Sequence, residues 1–487
     1  MVVRGISFYN FYLFIFVAVF CSLLGLQTAQ AQGVAGVDPY TNQLIERVQV
    51  KIVSPSDDAG LNARVEDSVR TTLALFPGQR FSQQQLELRL AQTRRIRDVG
   101  AVEYDVSFGR RGGLNIAVQV TLGDTAEPEG RGMSFGGKFP TIYEKDGTYL
   151  RFKLDVLGLY YANNNAWYGR PDLMLNGNPL VEGEPSGEGF DDWFEAYVHY
   201  GIYGITPIND NLYVYGGLSA ITAGSVGQEL FTDKTRSYTG IEDAYVGLVG
   251  GETSSEGNRL SYNLSVGRQR FTLANGFLIA NTASNGSNRA ALQANARWSA
   301  DMLALARLRY NTTMFELFYL DPDELDVVDS ETTYAGANLE IQPTPNLDLG
   351  ISYVTSPVSS FNYFSPVGGI AGTREGLEVF DARFNYAPNG IGAPGVFFGG
   401  GYAMQRNRNF DMDARAGWLE VGYSFAEAKW SPTVSYRISS FSGDDPDTDT
   451  YERWDPMLSG GTGEQWVQGA NHFKVVQNSN VIAHRVQ

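Results

Sequence analysis

Residues 149–160 read YLRFKLDVLGLY, and their alternation decides the fold. Leu150, Phe152, Leu154 and Val156 hold the even positions, whereas Arg151, Lys153 and Asp155 hold the odd ones. Successive side chains of an extended chain point to opposite faces, so this strand has one apolar side and one wet side. The same phase returns in Phe194-Ala196-Val198-Tyr200, Leu260-Tyr262-Leu264-Val266, Leu347-Leu349-Ile351-Tyr353, Phe380-Ala382-Phe384-Tyr386, Leu419-Val421-Tyr423-Phe425 and Val434-Tyr436-Ile438. No helical run after residue 31 reads as a membrane span. A bilayer admits only helices and closed barrels, because every backbone polar group must find a partner there. Abundant glycine (55) and tyrosine plus phenylalanine (27 and 28) fit strands that are apolar on one side only. The pattern predicts an all-β transmembrane barrel.

The connections alternate in length, which sets orientation. Short turns are expected at Pro207–Asn211, Gly251–Glu256, Asn311–Thr313, Gln342–Asn346, Ala387–Pro394 and Ala426–Pro432. Longer polar loops are expected at Tyr161–Asp192, Ser225–Ser237, Thr272–Ala290, Asp321–Ser330, Ser356–Glu375, Asn407–Asp413 and Ser442–Ala470. In such barrels short turns face the periplasm and long loops the exterior, and about fourteen strands are expected over residues 148–487. A soluble β-sandwich would need its apolar faces to meet in a core. Aromatic residues at the strand ends point instead to membrane interfaces.

The start of the chain sets the compartment. Arg4, an apolar stretch from Tyr12 to Leu26 and the small-residue site Ala29-Gln30-Ala31 have the layout of a secretory signal peptide over residues 1–31. The apolar stretch is short for a membrane anchor. Cys21 is the only cysteine, and Ala18-Val19-Phe20 lacks the small residue that a lipoprotein signal places beside the thiol. The expected location is the bacterial outer membrane, in contact with lipid and lipopolysaccharide. The formal charge of −17 says little by itself, since acidic surface loops would produce it.

Residues 43–123 read as a compact α/β domain. Val48, Val50 and Ile52 alternate as a half-buried strand, and Leu61, Val65, Val69 and Leu73 share one helical face. Pro77-Gly78 ends that helix. Ser82 and Gln85 are spaced as a capping box for the next, with Phe81 as a staple against Leu86. Val102, Tyr104, Val106 and Phe108 form a second strand, Gly112-Gly113 a turn, and Leu114, Ile116, Val118, Val120 and Leu122 a third. The order βααββ, with the stretches PGQRFSQQQLELRL, VGAVEYDVSF and GGLNIAVQV, resembles a POTRA domain. That resemblance implies a periplasmic module that contacts a protein or polymer through a strand edge or groove; the alternative is a plug or spacer. Arg94, Arg95 and Arg97 read as a solvated helix face. Residues 124–147 are the expected linker and approach to the barrel.

Several stretches of the barrel carry a second likeness: NLYVYGGLSA, IEDAYVGLVGG, LSVGRQRFTLANGFLI (264–279), FELFYLDPDELD (315–326), ETTYAGANLE, SFSGDDPDTDTYERWDPM (440–457) and WVQGANHFKVVQNSN. In these the barrel resembles the alginate-export porin family. The resemblance implies a monomeric barrel of about eighteen strands that passes an anionic exopolysaccharide. The family does not ordinarily begin with a POTRA-like domain, and barrel chains in general finish on a strand whose last residue is aromatic. This chain stops at Arg485-Val486-Gln487, so the expectation is a C-terminally truncated barrel, short of about four strands.

No catalytic constellation is visible. The histidines are His199, His472 and His484, with no G-x-S-x-G, H-E-x-x-H or phosphate loop, so neither an enzyme nor a cofactor is expected. Rings of charge in a pore decide what enters it. Parity places Arg151, Lys153, Arg307, Arg309, Arg383 and Arg437 on the wet side, facing Asp155, Glu195, Asp243, Glu316, Glu340, Asp348, Asp381 and Glu420. Arg268 and Arg270 share parity with lipid-facing Leu264 and Val266. They reach the lumen only if Gly267 hosts a bulge or the strand has already left the membrane. Each arginine reads either as part of a path for an anion or as one rung of a structural ladder with a neighbouring carboxylate. Asp445, Asp447 and Asp449 alternate as calcium ligands can, but the turn glycine of an EF-hand loop is absent and a solvated acidic loop is the simpler reading. The expected partners are an anionic polysaccharide and a periplasmic protein, and no nucleic acid.

Overall fold

The computed structural model describes residues 45–487 other than 57, 74, 76–80, 82, 97, 109–113, 124–140, 146, 165–189, 228–234, 257, 291–292, 366–367, 392, 426–431, 462–464 and 469–476. The expected signal peptide, Pro77-Gly78, Ser82 of the capping box, Arg97, the Gly112-Gly113 turn, His472 and most of the linker lie outside the described residues.

The α/β domain has the expected order: β1 (Ile45–Ser54), α1 (Ala59–Leu73), α2 (Gln83–Thr93), β2 (Val99–Phe108) and β3 (Leu114–Leu122). β3 is the central strand, parallel to β1 and antiparallel to β2. Asp58 opens α1 by accepting the Gly60 N–H at 2.8 Å, satisfying one of the donors a helix start leaves over. Val65, Val69 and Leu73 of α1 pack with Phe81, Leu86 and Leu90 over the alternating apolar positions of β3.

The remaining strands build one antiparallel sheet of fifteen. They are β4 (Thr141–Lys145), β5 (Thr148–Asn164), β6 (Phe190–Pro207), β7 (Leu212–Gly227), β8 (Arg236–Thr253), β9 (Arg259–Arg268), β10 (Met302–Tyr310), β11 (Thr313–Asp321), β12 (Thr333–Thr344) and β13 (Leu347–Val358), then, past a small hairpin of β14 (Asn362–Phe364) and β15 (Ile370–Thr373), β16 (Leu377–Tyr386), β17 (Gly395–Asn407), β18 (Ala414–Ser424), β19 (Thr433–Phe441) and β20 (Val481–Val486). The strand beyond the expected fourteen is β4, which lies in the stretch read as linker. Within the sheet each strand pairs with its sequence neighbour, so short turns and long loops gather at opposite ends, as expected.

One face of the sheet carries Leu264, Val266, Leu308, Phe315, Leu317, Ile351, Phe380, Leu419, Val421 and Ile438, all exposed. The other face buries Glu195, Asn263, Ser265, Glu316, Asn338, Ser352, Asp381 and Arg437. A soluble protein would hide the first set; here it forms the lipid-facing band of a β-barrel. A register shift between Leu218 and Ala220 lets Ser219 of β7 oppose both Glu242 and Asp243 of β8. That bulge turns two consecutive carboxylates inward, and the Ser219 hydroxyl accepts the Asp243 N–H at 3.0 Å while donating to its carboxylate at 2.7 Å.

The interior is filled from both ends. Thr272–Ala290 was expected as an exterior loop, but the described residues of 269–301, between β9 and β10, fold back inside the barrel. Phe271, Leu273, Phe277, Leu278 and Ile279 pack with Leu303, Leu305, Phe318, Leu320, Val354, Phe441, Trp454 and Trp466 in one core. The reason is apolar area: the long-loop half of the inner wall is itself greasy, and the inserted segment covers it. Wall carboxylates anchor the segment's backbone. Glu195 of β6 accepts the N–H groups of Gln293 and Ala294 (2.9 and 2.7 Å), and Glu242 of β8 those of Trp298 and Ser299 (2.8 and 3.1 Å). Strands as far apart as β6 and β19 thus face one interior.

At the short-turn end the α/β domain docks onto the barrel mouth. Leu88 and Ala91 of α2 pack with Tyr149, Ile205, Tyr213 and Val249. Arg94 and Arg95, which follow α2, are therefore not a wholly solvated face. Arg94 is buried, donates to the Val102 carbonyl at 3.1 Å and lies 4.0 Å from the centre of the Tyr149 ring, while Arg95 pairs with Asp210 at 2.6 Å. The wet mouth of the barrel offers a tyrosine face and a turn carboxylate to the two arginines that follow α2, which sequence periodicity alone does not register.

Candidate functional site

Between the α/β domain and the inserted segment lies a chamber of about 220 Å3. The domain contributes Phe81 and Glu87, the inserted segment Phe271 and Trp298, and the wall Arg151, Lys153, Arg307, Arg309, Tyr203 and Asp243. With Arg270, five cations line it against the carboxylates Glu87 and Asp243. A wall with an excess of one sign raises the local concentration of the opposite ion.

The structure brings all eight predicted cations inside, each with company. Arg151 donates to the Tyr104 hydroxyl at 3.1 Å and lies 3.6 Å from Glu87, so it ties barrel to domain. Lys153 pairs with Asp155 at 3.1 Å. Arg307 donates to Glu316 at 2.7 Å, directly across the β10–β11 ladder. Arg383 binds Asp381 at 2.5 Å and Glu340 at 2.9 Å. Arg437 stacks 4.0 Å from the centre of the Trp466 ring and donates to the Gln465 carbonyl at 3.0 Å. Arg309 reaches the Met314 sulfur at 3.4 Å and lines the chamber wall.

Arg268 and Arg270 turn inward because β9 ends at this point. Gly267 has φ of +124°, and a Cβ there would stand 2.3 Å from the Ala244 carbonyl oxygen, so only glycine fits. Arg268, still paired with Ala244, is the last residue of β9; from Gln269 the chain leaves the sheet, and no register shift interrupts the β8–β9 or β9–β10 pairing. Arg268 binds Asp301 and Asp323, and Arg270 lines the chamber.

Sequence reading passed over several groups. Asp323 gathers Arg268, Arg289 (3.0 Å) and Arg297 (2.8 Å) at the root of the inserted segment. His199 sits buried against Ser219 (2.8 Å), Asp243 (3.3 Å) and Asp155 (3.7 Å). Its role is to brace the bulge, since the Ser219 hydroxyl is already engaged with Asp243 on both sides. Asp445, Asp447 and Asp449 do not converge: Asp445 caps its own turn by accepting the Asp447 N–H at 2.9 Å, and among the described residues no three such groups are placed to hold a metal.

Two long loops are joined over the outer half. Arg374 donates to Asp455 in bidentate fashion (2.7 and 3.0 Å), and the Tyr363 hydroxyl donates to the same carboxylate at 2.6 Å. Gln405 on β17 completes the joint, accepting the Asp455 N–H at 2.8 Å and donating to its carbonyl at 2.7 Å. Burial opposes ionisation of Asp455, yet the Arg374 charge and the hydrogen bonds that Arg374, the Tyr363 hydroxyl and the Met457 N–H donate to its carboxylate outweigh it and hold the carboxyl below its ordinary range.

No family model and no curated protein matches this chain. Among solved structures it is similar to Salmonella typhi OmpF in complex with daunomycin, with 10% identity and a TM-score of 0.28 over 62% of this chain and 92% of that one. It is also similar to Acinetobacter baumannii OccAB2 (12% identity, TM-score 0.28, 60% and 82% covered) and to a triple mutant of the Rhodopseudomonas blastica porin (13%, 0.29, 60% and 84%). Likeness at that level says nothing of substrate. The chain's own faces are the firmer ground: apolar outward and polar inward, they make it an outer-membrane β-barrel.

Proposed function

We propose that the protein is a gated outer-membrane conduit for an anionic, uronate-type polysaccharide, with the α/β domain in the periplasm closing the inner mouth and the folded-in loops closing the outer one. The carrying observation is the chamber between the closures, where Arg151, Lys153, Arg270, Arg307 and Arg309 face Glu87 and Asp243. Planar guanidinium groups match carboxylates two bonds at a time, which suits a polymer carrying one carboxylate per sugar. The closures must move for a polymer to pass, and docking through a few ion pairs and ring contacts suits such movement.

The chamber's size favours a second reading, an uptake porin for small anionic solutes. A third, a POTRA-guided translocator of polypeptide, draws on the domain docked at the mouth. Conductance across a planar bilayer separates them. Current blocked by added polyuronate supports the first, and current carried by small organic anions without polyuronate block supports the second. A channel that opens only with a secreted polypeptide supports the third. Removing both Arg307 and Arg309 is expected to weaken polyuronate block; unchanged block would take these positions off the route.

A further inference from the structure

A second cavity, of about 230 Å3, lies in the cleft where the α/β domain meets the barrel wall. The domain supplies Arg89 from α2 and an apolar flank; the wall supplies Arg259, Arg309 and Arg383 with the carboxylates Glu340 and Asp348. Arg383 is committed to Glu340 and Asp381. Arg259 and Arg309 stand on the paired strands β9 and β10, and Arg89 joins them only because the domain docks.

We propose that this cleft is a binding site for a small organic carboxylate, with Arg89 as the domain's contribution to it. Three features point to that class. The cations outnumber the carboxylates, so the cleft favours an added negative charge. The apolar flank suits a carbon skeleton rather than an inorganic ion. Glu340 and Asp348 already stand in the cleft, so a monoanion meets less repulsion than a dianion such as phosphate. The state of Arg89 agrees: burial, and then the neighbouring Arg259 charge, lower its pKa from the usual guanidinium value, and an anion between the two relieves that repulsion. A ligand held from both sides also strengthens docking by mass action. The proposal is distinguishable from polymer passage because Arg89 and Arg259 line the cleft and not the chamber, although Phe81 and Arg309 border both.

The test is calorimetric titration of the full-length protein in detergent micelles with galacturonate, galactose and inorganic phosphate. Saturable, salt-sensitive galacturonate binding is expected, with no binding of neutral galactose. Arg89→Ala should weaken galacturonate about ten- to hundredfold, as loss of a charged hydrogen-bonding partner does. Arg89→Lys should retain part of the affinity, and Arg70→Ala, on the exposed side of α1, should retain all of it. Unchanged binding in Arg89→Ala, absence of saturable binding, or tighter binding of phosphate than of galacturonate would each overturn the proposal. Polyuronate block of conductance is read separately, so failure here leaves the conduit reading intact, and the reverse holds as well.

Discussion

Arg374→Ala should unlatch the outer closure. In the wild-type protein Arg374 and Asp455 form a bidentate pair at 2.7 and 3.0 Å, with side chains 9% and 3% exposed. Removing one partner of a buried pair strands the other charge, at a cost of about 3–5 kcal/mol. The cost falls on the closed state alone, because an opened loop returns Asp455 to water. At about 1.4 kcal/mol per factor of ten, the open-to-closed ratio should rise about a hundredfold to a few thousandfold. The assay is single-channel recording in planar bilayers, paired with protease cleavage within residues 442–461 in reconstituted vesicles. The double variant Arg374→Met with Asp455→Leu is the counterpart: with the charge gone as well as its partner, the loops should stay closed. The latch also has a pH signature. The Asp455 carboxyl is held below the ordinary range, so its stabilising contribution is fully present above the unfolded value near 4, roughly, and is lost only as pH falls through the depressed folded value. Mild acidification to about pH 5 should therefore leave the channel shut. If Arg374→Ala opens no more often than wild type and its loop resists protease equally, this pair does not hold the closure.

Three further outcomes are expected. Glu242→Gln removes the charge that holds the Trp298 and Ser299 N–H groups and that faces Arg297 at 3.4 Å; gating events should become more frequent by an amount worth about 1–3 kcal/mol, and unchanged gating would refute the anchor. Ile351→Arg places a charge in the middle of the outer face of β13 and should cost about 2–4 kcal/mol in urea-monitored folding into lipid vesicles; a loss under about 0.5 kcal/mol would remove this face from lipid. Tyr149→Leu keeps the apolar contact but removes the ring beneath Arg94, weakening docking by up to about 2 kcal/mol; a cysteine pair at Arg95 and Asp210 should then cross-link more slowly, and an unchanged rate would show that the ring contact does not secure the domain.

Much of the lumen was legible because a strand has a period of two. Glu195, Glu316, Asp381, Arg307, Arg383 and Arg437 all point where parity sends them. Parity failed at Glu242, since the bulge opposite Ser219 shifts the phase by one residue. It also carried no signal for Arg89 or Arg259, whose cleft forms from two bodies far apart in sequence. The inserted segment did leave a trace. Leu303, Leu305, Phe318 and Leu320 sit at inward positions where water alone would favour polar groups, and such an apolar inner wall needs a cover.

Local periodicity by itself determined the βααββ domain, the one-sided strands and the alternation of turns and loops, because those patterns answer to the geometry of a few neighbouring residues. Only tertiary structure decided that the segment after β9 packs inside the barrel, that α2 rests on Tyr149 and Tyr213 at the mouth, and that Arg374 meets Asp455. These contacts join residues tens to hundreds of positions apart. Their pairing is settled by which buried charge and which apolar face find a partner, and no local period records that.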